Sequence, residues 1–213
     1  MQSSKSIILV CCGSFNPIHE LHLLIFEIAK NYFTLNGRNC YKGIISPAND
    51  RYWKNGLLHS SHRVAMCREA VKTSDWITVD DWESKQTDYV RTYNVLSHER
   101  EVYGNDYDIY FIGSDDLLPN MADPKCWDPV LLEKLVSEFG VVMLRRLLEN
   151  PEKEVEKNAI LVRHKEHIFV CSGFQAQHSS TEVRNLVKQG LSIKYMVPDL
   201  VIDYIKANKL YLE

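Results

Sequence analysis

Short runs dense in apolar and β-branched residues punctuate the chain, at Ile7 to Cys11, Tyr41 to Ser46, Trp76 to Val79, Asp108 to Ile112, Gly140 to Leu144 and His167 to Val170. Helical stretches separate them. Alternation of this kind predicts an α/β protein whose parallel sheet is flanked by helices. The first run passes straight into the turn Gly13-Ser14-Phe15-Asn16-Pro17 and then into a helix whose apolar positions Ile18, Leu21, Ile25, Ile28 and Tyr32 step by three and four. One face of that helix is expected to pack on the sheet. A second helix is predicted over Ser61 to Val71 after a Ser cap, a third around Thr92 to Arg100, and a last one over Asp199 to Ala207 after Pro198. Ser179-Ser180-Thr181 is expected to cap a helix that runs to Gly190. The Glu- and Lys-rich stretch Leu147 to Lys165 reads as a mobile surface insertion.

Composition narrows this picture. With 213 residues, 45% hydrophobic and 25% charged, the chain has the balance of one packed domain over residues 1–213. A net charge of -3 offers no broad attraction for a nucleic-acid backbone. The apolar run at Ile7 is too short for a membrane span or a signal-peptide core, so the expectation is a soluble protein of cytosol or nucleus. Six cysteines, at positions 11, 12, 40, 67, 126 and 171, form no CxxC pair and are expected to be reduced. Oligomeric state stays open, a homo-oligomer included.

Chemistry concentrates where the first strand ends. Ligands of open parallel sheets bind at the carboxyl ends of strands, and backbone N–H groups of a turn entering a helix make an anion site. His19 and His22, three residues apart in the expected first helical turn, can both face one bound phosphate. On their own, two such histidines could equally be a chance pair or metal ligands. The preceding strand, the Gly-Ser turn and Pro17 together make the phosphate reading the better one.

The segment Gly13-Ser14-Phe15-Asn16-Pro17-Ile18-His19-Glu20-Leu21-His22 resembles the GxFxPxHxGH signature of the HxGH nucleotidyltransferases. His178-Ser179-Ser180-Thr181-Glu182-Val183-Arg184 resembles their second signature, ISSTxxR. Within that superfamily the chain resembles the eukaryotic-type nicotinamide/nicotinate mononucleotide adenylyltransferases. The matching stretches include Gly43 to Pro47, His62-Arg63-Val64, Trp82-Glu83-Ser84, Gly113-Ser114-Asp115 and Met196 to Val201. The sequence also departs from the pattern: Leu21 stands where the general signature has Gly, and the stretch before His178, with Ala176 and Gln177, lacks an Asn that animal members carry.

This resemblance implies a Rossmann-like parallel sheet with helices on both faces and adenylyl transfer from ATP to nicotinamide or nicotinate mononucleotide, with Mg²⁺ bound mainly through the ATP phosphates. The amide or the acid substrate remains equally open. By the same resemblance His22, His19 and Arg184 are catalytic, and Gly13, Phe15, His22, Gly113, Ser180, Thr181 and Arg184 bind ATP. Gly13, Ser14, Lys54, Tyr89, Thr92, Asp115, Cys126, Trp127 and Arg146 are implied to bind the mononucleotide. Plainer readings stand beside several of these. Asp115 or Asp116 could simply cap a helix, Tyr89 and Trp127 could be packing residues, and Arg146 a solvated one. Alternatives for the whole chain are a related adenylyl- or cytidylyltransferase acting on another phosphorylated substrate, or a nucleotide-binding chaperone module.

Overall fold

A computed structural model describes residues 5–172 and 178–212; Ala176 and Gln177 lie outside the described residues. In chain order the elements are β1 (Ser6–Gly13), α1 (Glu20–Leu35), β2 (Cys40–Pro47), α2 (Ser60–Ala70), β3 (Ile77–Val79), α3 (Thr92–Tyr103), β4 (Tyr107–Ser114), α4 (Leu118–Met121) and α5 (Pro129–Glu138). They continue with β5 (Gly140–Leu144), α6 (Pro151–Glu156), α7 (Ala159–Arg163), β6 (Ile168–Cys171), α8 (Ser180–Lys188) and α9 (Asp199–Ala207). The strands form a six-stranded sheet in the order β3-β2-β1-β4-β5-β6. β1, β4, β5 and β6 run parallel, with Val10 opposite Phe111, Phe111 opposite Val141 and Val142 opposite Phe169. Their apolar runs do not alternate with polar residues because most of these positions are buried, Ile7 to Val10 and Val141 to Leu144 among them.

The chain divides into two compact units. One comprises Met1–Cys11, Ile25–Gly43 and Arg91–Gln177. The rings of Phe33, Tyr110 and Phe169 cluster in it, with centroids 5.3 to 5.6 Å apart. Gly140 leaves room for that cluster, since a Cβ would fall 1.8 Å from the Tyr110 ring. The segment expected to be a surface insertion is instead built into this unit. Asn158 caps α7 through the N–H groups of Ile160 and Leu161, donates to Met121 O at 2.9 Å, and is followed by the fully buried Leu161. Polar composition hid two anchors that a charged stretch can carry. Helix α5 was also not expected from the pattern, although Asp128 caps it through Val130 N and Leu131 N with Pro129 in its first turn.

The other unit comprises Cys12–Leu24, Ile44–Val90 and His178–Glu213. Here α2 packs with α9, and His62 Nδ1 meets Tyr204 OH at 3.1 Å. The cap of α2 is His59, whose Nδ1 accepts from Ser61 N, and not the Ser that was expected. Ser179 does cap α8, through Glu182 N, and Gly190 follows its end in the left-handed region at φ 69°.

Along α1 the buried residues are Leu21, Ile25, Phe26, Ala29 and Phe33, so the expected line through Ile28 and Tyr32 lies at the half-buried margin. None of the six cysteines is joined in a disulfide. Burial pushes the thiols of Cys11 and Cys171 up to about 12, which keeps them unreactive. No helix among the described residues is long and apolar enough to cross a membrane.

Glu83 is a carboxylic acid held in the interior. It is 4% exposed and accepts from Ser46 Oγ at 2.6 Å. Burial pushes it up to about 7, although the Ser46 bond and nearby Arg63 pull the other way. The folded protein therefore keeps this proton to higher pH than the unfolded chain, which releases it near the model-peptide value of 4.5. Stability associated with Glu83 is full below that value and is lost as pH rises through about 7, by roughly 3 kcal/mol. Glu83→Gln is expected to flatten urea-unfolding stability over this window, whereas an unchanged pH slope would mean that Glu83 ionises freely in the fold.

Candidate active site

The turn that leaves β1 owes its shape to buried side chains beneath it. Phe15 is 1% exposed and holds φ at 44°, a region that non-glycine residues seldom enter and that costs about 1 to 3 kcal/mol. Its ring comes up under Gly13, where an added Cβ would sit 3.2 Å from Cζ. Asn16, fully buried, donates to Gly56 O at 2.8 Å and accepts from Leu58 N and from Tyr211 OH. Arg63 is likewise fully buried and donates to Leu58 O, Ser14 O and Ala48 O at 2.6 to 2.8 Å, and to Asp50 Oδ1 at 3.1 Å. Neither Asn16 nor Arg63 was singled out from the sequence. A usable signal existed for Arg63, which interrupts the otherwise apolar stripe of Val64, Met66, Cys67 and Ala70 on α2.

Above this base the histidines are arranged differently from the expectation. Helix α1 begins at Glu20, so His19 precedes the first helical turn. It is 4% exposed, with its ring stacked on that of His22 at 3.6 Å. The backbone N–H of His19 donates to His22 Nδ1 at 3.1 Å. An Nδ1 that accepts carries no proton, so Nε2 of the neutral His22 ring bears the N–H and is its donor. Phe15 packs edge-on against the same imidazole at 5.0 Å. His22 is thus the half-buried donor, and His19 is its support.

Cations and hydroxyls gather on the same turn. Lys54 Nζ donates to Ser14 Oγ at 3.1 Å. Arg184 Nη1 donates to Asn16 O at 2.8 Å and Nη2 to Thr181 Oγ1 at 3.2 Å. Ser180 Oγ donates to Pro17 O at 2.8 Å, which ties the start of α8 to the turn. Burial, together with the positive charges of Arg184 and Arg63, holds the Lys54 ammonium below its ordinary value. A bound anion would relieve that repulsion. This unit therefore brings together Gly13, Ser14, Phe15, His19, His22, Lys54, Ser180, Thr181 and Arg184, while the exposed Tyr89 pairs with Tyr52 at 5.9 Å.

The other unit holds the remaining expected residues. Asp115 is fully buried, and its carboxylate accepts the N–H groups of Arg146, Leu147 and Leu148 at 2.9 to 3.0 Å. It anchors the segment after β5. Gly113 lies near the carboxyl end of β4, opposite Met143. Its missing side chain makes room for Leu117, whose Cδ1 would be 2.7 Å from a Cβ. Cys126 is exposed, and its carbonyl accepts from Arg91 Nη1 at 3.1 Å. Trp127 is half-buried beside a cavity of about 180 Å³, with its ring 6.0 Å from Phe111. Thr92 opens α3, and Arg146 contributes its backbone N–H to Asp115.

Comparison with known proteins agrees with this arrangement. Residues 10–186 match the cytidylyltransferase-like family. The chain is 35% identical over 220 residues to the nicotinamide/nicotinic acid mononucleotide adenylyltransferase of Arabidopsis thaliana, covering 100% of this chain and 92% of that protein. It is 37% identical over 214 residues to the protein of the same name from Oryza sativa subsp. japonica, covering 97% and 86%. The fold is shared with the Plasmodium falciparum nicotinic acid mononucleotide adenylyltransferase complexed with NaAD, at a TM-score of 0.73 and 24% identity over 97% of each chain. A match to that family over residues 10–186, with relatives of 35% and 37% identity over nearly the whole chain, means that the chain belongs to the nicotinamide/nicotinic acid mononucleotide adenylyltransferases of the cytidylyltransferase-like family.

Proposed function

We propose that the protein transfers the adenylyl group of ATP to the 5′-phosphate of nicotinamide or nicotinate mononucleotide, giving NAD or deamido-NAD and pyrophosphate. The observation that carries this reading is the convergence of the His22 Nε2 donor, Lys54, Thr181 and Arg184 on the turn from Gly13, with the Lys54 ammonium held low by burial and then by its cationic neighbours. A phosphate oxygen of the mononucleotide attacks the α-phosphorus of ATP, a new P–O bond forms, and the bond to the β-phosphate breaks as pyrophosphate leaves. No protein nucleophile is required. The chain supplies position and charge: two anions held in line, and donors aimed at the α-phosphate where negative charge gathers.

His22 donates to the α-phosphate, and His19 keeps its tautomer and ring plane. Thr181 and Arg184 take the β- and γ-phosphates, and the two donor sites Arg184 spends on Asn16 and Thr181 leave others of its guanidinium fork for them. Lys54, Ser14 and the backbone at Gly13 serve the mononucleotide phosphate. The family resemblance assigns Tyr89 and Trp127 to the pyridine ring, with Thr92 and the backbone at Cys126 as polar contacts. Side chains at the turn are imidazoles, hydroxyls and cations, and the Asp50 carboxylate is committed to Ser60, Arg63 and His59. That donor set fits Mg²⁺ carried on the ATP phosphates, where it would neutralise the polyphosphate and the departing pyrophosphate.

His22→Ala is expected to fold normally and lose about two to three decades in kcat, the size of one transition-state donor. The KM for ATP should move far less, and near-normal turnover in a coupled assay would remove His22 from the α-phosphate. Trp127→Ala is expected to raise the mononucleotide KM by about five- to 150-fold, equivalent to roughly 1 to 3 kcal/mol of stacking, and to leave the ATP KM unchanged. A tryptophan that only fills the core would instead cost about 3 to 5 kcal/mol of stability and lower Tm with both KM values intact.

A further inference from the structure

The three-residue 3₁₀ turn Lys165–His167 joins α7 to β6, with His164 as its N-cap. Side chains three apart in a 3₁₀ turn eclipse one another, which sets the His164 and His167 rings side by side, 6.4 Å between centroids and 30° between planes. One ligand atom each from His164, Glu166 and His167 lies within 4.8 Å of the others. Neither ring is loose. His164 Nε2 is 2.6 Å from the Glu133 carboxylate, and His167 Nδ1 is 2.8 Å from the Val136 carbonyl.

Both of those oxygens are acceptors, so the nitrogens facing them carry protons. The lone pairs then fall on Nδ1 of His164 and Nε2 of His167. A carboxylate behind one histidine and a backbone carbonyl behind the other is the arrangement that orients metal-bound imidazoles and raises their basicity. Glu133 is itself held by Arg163. The turn also opens to solvent: Glu166 and His167 line a cavity of about 570 Å³, which leaves room for water on an ion.

We propose that His164, Glu166 and His167 bind one divalent transition-metal ion of the zinc class, at a site separate from the residues assigned to adenylyl transfer. Two imidazoles and one carboxylate suit Zn²⁺, with water in a fourth position; they do not suit Mg²⁺, which prefers oxygen alone. Donor atoms around tetrahedral zinc lie about 3 to 4 Å apart, so ligand atoms now within 4.8 Å of one another must draw closer for the three to close on the ion. The ion would fasten the end of α7 to the start of β6.

Equilibrium dialysis of the chelator-treated full chain against Zn²⁺, with excess Mg²⁺ present, tests this. One equivalent should bind per chain. His164→Gln and His167→Asn place an amide N–H near the nitrogen that now donates, keeping the bonds to Glu133 and Val136 while removing the metal-binding lone pair. Each should weaken zinc by more than the 10- to 100-fold expected for Glu133→Gln, which changes only a supporting contact. His22→Ala should retain the equivalent, because the other closely spaced histidine pair is not this site. Zinc should raise the Tm of the wild-type chain and leave that of His164→Gln and His167→Asn unmoved, whatever their starting values. Binding unchanged in those two variants, loss of the equivalent in His22→Ala, or no zinc bound by the wild type would overturn the proposal.

Discussion

The buried guanidinium of Arg63 fastens three stretches of irregular backbone to helix α2. Its donors meet the carbonyls of Ser14, Ala48 and Leu58, and the carboxylate of Asp50 supplies a counter-charge. Taking a cation out of water is costly unless its donors are satisfied, and here each guanidinium nitrogen has an acceptor. The planar fork is what makes this work, because a lysine at the same place could not point at three carbonyls in fixed directions. Asn16 completes the fastening through Gly56, Leu58 and Tyr211, and its own carbonyl holds Arg184. An active turn that contains a left-handed Phe15 keeps its shape because buried polar bonds over-determine it.

Catalysis follows from that rigidity. Adenylyl transfer asks for donors that already point where charge will develop, so that little reorganisation remains when the phosphates arrive. The role proposed for His22 rests on a chain of constraints. Phe15 packs on its edge, His19 stacks on its face, and the His19 N–H fixes the tautomer that leaves Nε2–H as donor. Burial holds the Lys54 ammonium low, and the nearby charges of Arg184 and Arg63 add to this. The repulsion among these cations is the counterpart of the attraction available to a polyphosphate. Relatives 35% and 37% identical over nearly the whole chain are named for this chemistry, which does not favour the alternatives of another acceptor or a chaperone module.

Much of this was legible from local pattern. β5 and α9 fall on their predicted bounds, and the other strands within a residue or two, because buried apolar runs and a proline before a helix are local signals. The histidine pair was read from motif and spacing, and Lys54 and the Ser179 to Arg184 segment from the family resemblance; the fold brings them to one turn. What stayed hidden depends on partners distant in sequence. Asp115 reads as a strand-end carboxylate, and only the fold shows that it accepts from the backbone of residues 146–148. Charged residues made 147–165 look like a surface insertion, while Asn158 and Leu161 tie it down. Spacing alone placed His19 inside the helix, whose first residue is Glu20. Arg63 sat within a family match, but its role emerges only once three loops return to α2.

The central claim is that the site moves the α-phosphate group of ATP, and labelled ATP tests it most directly. With nicotinamide mononucleotide as acceptor, label in the α-phosphate of ATP is expected to appear wholly in the dinucleotide, and label in the γ-phosphate wholly in pyrophosphate. Label from the γ-phosphate on the acceptor, or α-label recovered as free AMP without dinucleotide, would contradict the account.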